Sequence, residues 1–360
     1  PTRSSALGPP ARRPRPAAST TAAMRMATLD HARPLRVLVS SASAMKQKHF
    51  LSLRDHSRAD ILEILDLARR MKAAPGAYRE ALRGRTLAMI FQKASTRTRV
   101  SFEAGMFQLG GHALNLAGGD IQLHRGETVA DTARVLSRYV DGIMARVFAH
   151  EDLEEMARYA SIPVINGLSD LSHPVQALAD FMTLLEKRGR LEGAKVAYVG
   201  DGNNVCHSLM LGAAKLGVEM AVAAPAGYDP SPLIVGSAAR SAQELGTPPA
   251  VITRDPMEAV AGADVVYTDV WTSMGQEAES AARVAAFQGY VVTPGMMAAA
   301  GRDAVFMHCL PAHRGEEVAA EVMDGPRSVV FDQAENRLHA QKAVLLLLIG
   351  GPVDEGRSPA

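Results

Sequence analysis

From about Lys46 onward, apolar positions fall into two alternating rhythms. The run "ADILEILDLARRMKAA" places them at helical spacing, "TLAMIFQ" is short and continuous like a buried strand, and "RVSFEAGMFQLGG" reads as a helix closing on paired glycines. "ALNL", "ETVADTARVLSRY", "GIMARV", "HEDLEEMARYA" and "IPVING" continue strand, helix, strand, helix, strand. A long helix is expected over "HPVQALADFMTLLEKRGRLEG", ending in a basic, Gly-terminated turn. A second series then begins: "AKVAYVGDGNNVCHSLMLGAAKLGVEMAVAAP" reads strand, tight turn, helix, strand, and "DPMEAVAGADVVYTDVW", "AVFMHCLP" and "SVVFDQAENRLHAQKAVLLLLIG" repeat the scheme. Such alternation predicts parallel sheets covered by helices. With no fixed-period repeat, the expected fold is α/β: two doubly wound parallel-sheet domains, hinged near residues 181–193, with the active site in the cleft between them.

Residues 1–44 follow neither rhythm. They are rich in Arg, Ala, Ser and Pro, and Asp30 is their only acid. This composition resembles an organellar transit peptide, and the "VLVSSASA" ending favours a plastid over a mitochondrion. The alternative is a gene model that is over-extended or truncated upstream of Met45, which would leave the protein cytoplasmic. The remainder of the 360 residues, at 47% hydrophobic overall, is enough for two cores. The apolar run from Ala343 to Ile349 is too short to span a bilayer, so no membrane association is expected. A net charge of +1 gives no broad electrostatic footprint for nucleic acid. Cys206 and Cys309 are too few for a disulfide framework, which points to a reducing compartment.

Candidate chemistry gathers where strands end. "STRTR", residues 95–99, lies at the start of a helix, where unpaired backbone N–H groups and the dipole favour an anion. Ser95, Thr96 and Thr98 add hydroxyls, and Arg97 and Arg99 offer guanidinium forks matched to phosphate. The alternative is an N-capping Ser or Thr followed by solvated arginines. Without GxxxxGK[ST], an ordinary P-loop nucleotide site is not supported. Arg146 ends another apolar segment, and His173 and Gln176 share one side of a helix entrance, three residues apart. A His before Pro is commonly a turn residue; beside a strand-end arginine it also suits polarisation of a carbonyl oxygen. In the second series, "YTDVWTSMGQE" carries Asp269, Trp271, Ser273 and Met274, and "MHCLPAHRG" carries His308, Cys309 and Leu310. Trp271 and Met274 are as readily packing residues, and Asp269 a turn cap. Neither cysteine has the spaced partners of a zinc site or a local general base, so neither metal nor thiol nucleophile is expected. An acid beside a strand-end carbonyl suits a cationic amine better.

Together, "STRTR", "HPVQ", "GDGNN", "DVWTSMGQE", "HCLP" and "FDQAENRLHAQ" resemble the ornithine carbamoyltransferases from about Lys46 to Gly351. The first two motifs suit carbamoyltransferases generally; "DVWTSMG" with "HCLP" separates the ornithine from the aspartate branch. The resemblance implies a carbamoyl phosphate-binding domain over 45–185, an ornithine-binding domain over 186–337, and a C-terminal helix and tail over 338–360 that returns to the first domain. It places Ser95, Thr96, Arg97 and Thr98 at the phosphate. Arg146, His173, Gln176, Cys309, Leu310 and Arg337 belong to the rest of the carbamoyl phosphate site, and Gln122 reaches a neighbouring subunit in the family's trimers. Asn204, Asp269, Ser273 and Met274 address ornithine, with Arg97, Arg146, His173, Asp269 and Cys309 closest to the reacting atoms. The implied reaction is transfer of a carbamoyl group to the side-chain amine of L-ornithine, a step of arginine biosynthesis, without cofactor or metal. Domain closure would bring the loop containing Gly275 over the substrates. Alternatives are transfer to a related amine such as N-acetylornithine or putrescine, a metabolite-binding homologue without turnover, and an NAD-dependent dehydrogenase using "GDGNN". The last lacks the third glycine of GxGxxG and a placed ribose-binding acid.

Overall fold

The computed structural model describes residues 45, 47–117, 126–272 and 279–350, and within them the alternation becomes two wholly parallel sheets. The first series comprises α1 (Arg58–Ala73), β1 (Thr86–Phe91), α2 (Thr96–Gln108), β2 (His112–Ala117), α3 (Val129–Leu136), β3 (Gly142–Arg146), α4 (His150–Tyr159), β4 (Val164–Leu168) and α5 (Pro174–Arg188). Its strands are ordered β2-β1-β3-β4. The second begins with β5 (Lys195–Val199), α6 (Asn204–Leu216), β6 (Glu219–Ala223), α7 (Pro232–Leu245), β7 (Val251–Thr253), α8 (Pro256–Val260) and β8 (Val265–Thr268). It continues through α9 (Ser280–Phe287), α10 (Pro294–Ala299), β9 (Val305–His308), α11 (Ala320–Met323) and α12 (Val330–Ile349), with strands ordered β7-β6-β5-β8-β9. No helix among the described residues is long and apolar enough to cross a membrane.

Local chemistry sets these boundaries. A reciprocal capping box starts α1: Ser57 Oγ accepts the Asp60 N–H at 3.1 Å, and Asp60 Oδ2 accepts the Ser57 N–H at 2.9 Å. Pro174 opens α5, and Gly189 closes it at φ +72°, a conformation glycine adopts without Cβ strain. Strand β1 is apolar and buried from Leu87 to Phe91, as expected where both faces of a parallel sheet are covered. Leu87 and Met89 point into a core shared with Phe102, Phe181, Leu209, Tyr198 and Leu345, which joins the two sheets; Ala88 and Ile90 point the other way, toward Ile143 and Leu153. Helices α5 and α6 approach so closely that a Cβ on Gly212 would fall 2.2 Å from the Phe181 ring.

The last helix begins at Val330, not near Leu338, and in the "SVVF" run read as a strand Ser328 makes only an isolated bridge to Phe306. The first half of α12 buries Gln333, Asn336 and Arg337, so its inner face is polar and leaves no apolar period to read. This helix packs on α1, α2 and α5.

Strand order reverses between β1 and β3 in one sheet and between β5 and β8 in the other. Open α/β sheets bind ligands outside the carboxyl ends of strands at such reversals. Those four strand ends lead into STRTR, Arg146, GDGNN and Asp269.

Candidate active site

At the start of α2, Ser95 is the N-cap: its Oγ accepts the Thr98 N–H at 3.3 Å and donates to Thr98 Oγ1 at 3.0 Å. Thr96 is exposed and Arg97 half-buried, while Thr98 is fully buried. Thr98 Oγ1 also accepts from Arg337 Nη2 at 2.9 Å, and the other arm of Arg337 reaches Gln176 Oε1 at 2.6 Å. The arginine of α12 therefore ties α2 to α5. Arg99 lies on the outer side, exposed and 3.5 Å from Glu103 one turn on, so it is the solvated arginine of the motif rather than a phosphate fork.

Arg97 and Arg337 are close enough to Arg146 to disfavour its charge, and Arg97 does the same to Arg337. Burial, then Arg337 and Arg97, pulls Arg146 down to about 10; burial, then Arg97, lowers Arg337. His173, at the start of α5, is held well below the usual imidazole range by burial and then by the same three arginines. It is a neutral ring. Arg146 Nε, Arg337 Nε and His173 Nδ1 are buried without a hydrogen-bond partner. Uncompensated buried guanidinium groups are costly, and an anion with several acceptor oxygens is the chemistry that offsets them.

The second sheet supplies the facing wall. Asp269, at the end of β8, accepts from Asn203 Nδ2 at 2.8 Å on Oδ2, and from the Val270 N–H at 2.8 Å and the Cys309 thiol at 2.9 Å on Oδ1. Burial, then the Asp269 charge, pushes the Cys309 thiol well up, so it stays a neutral S–H donor. Leu310 has φ +62° and its N–H donates to His308 Nδ1 at 2.8 Å. That bond puts the ring hydrogen of His308 on Nε2, which faces the fully buried Glu317 Oε1 at 3.2 Å. The loop holding His173 is latched from α6: Asn204 Nδ2 donates to Ser169 O at 2.5 Å, and Ser208 Oγ accepts the His173 N–H at 2.8 Å.

Trp271 is buried and stacks on Phe287 at 5.5 Å, a packing residue. Gln122, Ser273, Met274 and Gly275 lie outside the described residues. Two groups among the described residues have ligand atoms within 4.8 Å of one another: Asp269, His308 and Cys309, and His313, Glu316 and Glu317. Spacing did not reveal the first because Asp269 comes from a different strand. Its donors are already engaged with one another, Leu310 and Glu317.

A family model for the carbamoyl-P binding domain of aspartate/ornithine carbamoyltransferases matches residues 48–186, and one for the Asp/Orn binding domain matches residues 192–348. The chain belongs to the aspartate/ornithine carbamoyltransferase family. It is 59% identical over 303 residues to an ornithine carbamoyltransferase of Thermococcus kodakarensis, covering 84% of this chain and 96% of that protein. Against an anabolic ornithine carbamoyltransferase of Pyrococcus furiosus the identity is 57% over 306 residues, covering 84% and 97%. A solved ornithine carbamoyltransferase structure from Pyrococcus furiosus matches with a TM-score of 0.83 at 56% identity, covering 87% of this chain and all, 100%, of that one.

Within this family frame, several site residues escaped sequence reasoning. Asn203, one position before the asparagine singled out, both caps α6 and holds Asp269. Arg283 of α9 is buried against Asp201 at 2.8 Å and the Trp271 carbonyl at 2.9 Å, bracing the GDGNN turn. Asp180, Gln333 and Tyr267 form a buried polar knot between the sheets. An acid inside the apolar run "QALADFMTLL" was the available signal for Asp180.

Proposed function

We propose that the protein transfers the carbamoyl group of carbamoyl phosphate to the side-chain amine of L-ornithine, giving L-citrulline and phosphate. The observation that carries this reading is the convergence of Arg97, Arg146, Arg337 and a neutral His173 opposite the Asp269–Cys309 pair. The phosphate lies against the first turn of α2 and the arginines, and the carbonyl oxygen faces His173 and a guanidinium, donors that strengthen as it gains negative charge. Ornithine presents its amine beside Asp269. That amine must be neutral to attack; at pH 8 a Lys-like group costs about 3.3 kcal/mol to deprotonate, and a carboxylate alone favours the charged form. Asp269 therefore orients the amine while deprotonation remains part of the barrier. The nitrogen attacks the carbonyl carbon, the carbon–oxygen bond to phosphate breaks, and the amine's proton leaves with the phosphate. No covalent enzyme intermediate is needed, so positioning and charge stabilisation supply the acceleration. Asn204, Ser273 and Met274 are assigned to the amino-acid end of ornithine, and the anabolic relative supports a place in arginine biosynthesis.

Two further features belong to this reading. Phe107 and Val100 lie exposed on α2, and Leu114 is exposed on β2, the edge strand of its sheet. Such a face supports association with further copies, as a homotrimer in which Gln122 reaches the neighbouring site. The composition of residues 1–44 supports import into a plastid, which a reporter fused to those residues would test.

The deciding experiment measures citrulline formation by protein beginning at Met45, with putrescine, N-acetylornithine and aspartate as parallel acceptors. A strong preference for ornithine is expected. Preference for another acceptor would keep the anion site and overturn the assignment of the facing wall.

A further inference from the structure

We propose that Asp180, as a carboxylate that only accepts hydrogen bonds, is the positioning residue that sets Gln176 and Arg337 for the anionic substrate; this rests on the carbamoyl-transfer reading. Asp180 lies on α5, buried, and three donors converge on it from three elements. Oδ1 accepts from Gln176 Nε2 at 2.8 Å and from Gln333 Nε2 of α12 at 2.7 Å, and Oδ2 accepts from the Tyr267 hydroxyl of β8 at 3.2 Å. An ionised carboxylate satisfies all three. A carboxylic acid adds a hydrogen to this knot: on Oδ1 it would face two amide donors and turn one of them, and on Oδ2 it would make the Tyr267 oxygen, which already accepts from Gln333 Nε2 at 3.1 Å, accept a second time and leave the Tyr267 hydroxyl hydrogen without its acceptor.

Turning an amide by a proton on Oδ1 has a specific consequence at each end. Gln176 gives its Nε2 to Asp180 and its Oε1 to Arg337. Reversed, it would present N–H groups to a guanidinium that can only donate. Gln333 gives its Nε2 to Asp180 and its Oε1 to the His308 N–H at 2.9 Å, so the same reversal disturbs the start of the HCLP loop. A proton on Oδ1 thus reaches one wall of the cleft or the other, according to which amide turns. Among the described residues, the charged or titratable groups facing Asp180 are Arg337 from α12, Tyr267 from β8 and Cys309 after β9. Burial outweighs the lowering by Gln176, Gln333, Tyr267 and Arg337 and pushes the carboxyl up to about 7, so the switch falls in the neutral range.

The test is the pH dependence of kcat/KM for carbamoyl phosphate at saturating ornithine, in the full chain and two variants, from about pH 6 to 8. The wild-type value should fall in one step on the acid side near neutrality. Asp180→Asn, fixed as neutral, should lose at least about tenfold at the upper plateau and show no such step. Tyr267→Phe removes one donor to the ionised form at nearly constant volume, which raises the carboxyl's affinity for a proton; the step should move to higher pH with the plateau within a few-fold. If Asp180→Asn does not fold, Tyr267→Phe decides alone. An active wild type whose step persists unmoved in every folded variant overturns this inference only. A wild type that forms no citrulline at any pH overturns the carbamoyl-transfer reading on which it rests.

Discussion

Arg337 and Thr98, 239 positions apart in the chain, meet at 2.9 Å between α12 and the first turn of α2. The bond lets the last helix of the fold complete a site begun by the first sheet, and Gln176 holds the other arm of the same guanidinium. Arg337→Leu should therefore strip one of the clustered charges and leave Gln176 Oε1 buried without its partner. Steady-state kinetics should show kcat/KM for carbamoyl phosphate down by about a hundredfold or more, with the KM for ornithine little changed. Arg337→Lys restores the charge but not the fork, and should recover only part. Near-normal kinetics in the leucine variant would remove Arg337 from the site.

Asp269 and Cys309 act as a pair in which the thiol stays neutral and donates to the acid at 2.9 Å. Burial and the neighbouring carboxylate keep Cys309 protonated, so iodoacetamide at pH 7 to 8 should alkylate it far more slowly than a free cysteine. Cys309→Ser should keep measurable turnover, since no bond to sulfur forms. Asp269→Asn should lower kcat/KM for ornithine by about a hundredfold, with carbamoyl phosphate affinity within a few-fold. Rapid stoichiometric alkylation would show a thiolate, and unchanged ornithine kinetics would exclude Asp269 from the amine site.

What the sequence made legible is what local rules encode. The α/β alternation, the capped start of α2 with Ser95 and Thr98, Pro174 opening α5, and the strand-end positions of Arg146 and Asp269 all follow from period and turn chemistry. What escaped depends on pairing across the chain. Nothing local distinguishes Arg97, which joins the arginine cluster, from Arg99, which meets Glu103; the difference is which face of α2 each occupies. The early start of α12 was hidden because Gln333, Asn336 and Arg337 spend its buried face on Asp180, Thr183 and Thr98 rather than on apolar packing. Asn203 was passed over for its neighbour because only the fold shows which of two adjacent amides faces Asp269.

Stability should fall on the acid side, and the sign follows from the buried histidines. Burial lowers His173 and His207; the His207 ring lies 2.9 Å from the Leu171 carbonyl at Nδ1 and accepts the Ser231 N–H at 2.9 Å on Nε2. Both rings stay neutral when folded and would protonate near 6.5 when unfolded, so below that pH the unfolded chain binds more protons and stability drops. Each such ring contributes a slope of up to about 1.4 kcal/mol per pH unit. Asp180 works in the opposite direction, since its folded carboxyl holds a proton up to about 7, and offsets one histidine. Burial lowers His49, His56, His150 and His339 in the same direction, so urea midpoints should decline between about pH 6.5 and 5, and His207→Gln should make that decline shallower. A midpoint independent of pH across that range would mean these rings are not held neutral.

The exposed face of α2 yields a prediction about assembly. Phe107 is 81% exposed and Val100, two turns earlier on the same side, 57%. A helix that spends two large apolar residues on water, beside a sheet edge carrying Leu114, has the composition of a subunit interface rather than a solvated surface. Phe107→Asp removes no packing inside the protomer, so the far-UV circular dichroism and melting of the isolated chain should be preserved. If the proposed association runs through this face, light scattering should nevertheless show the mass falling from that of the assembly to that of a single chain. Activity should fall with it if the residue at position 122 serves a neighbouring site, and Gln122→Ala in the intact assembly should then reproduce the loss without the change in mass. An unchanged mass in Phe107→Asp would place the interface elsewhere.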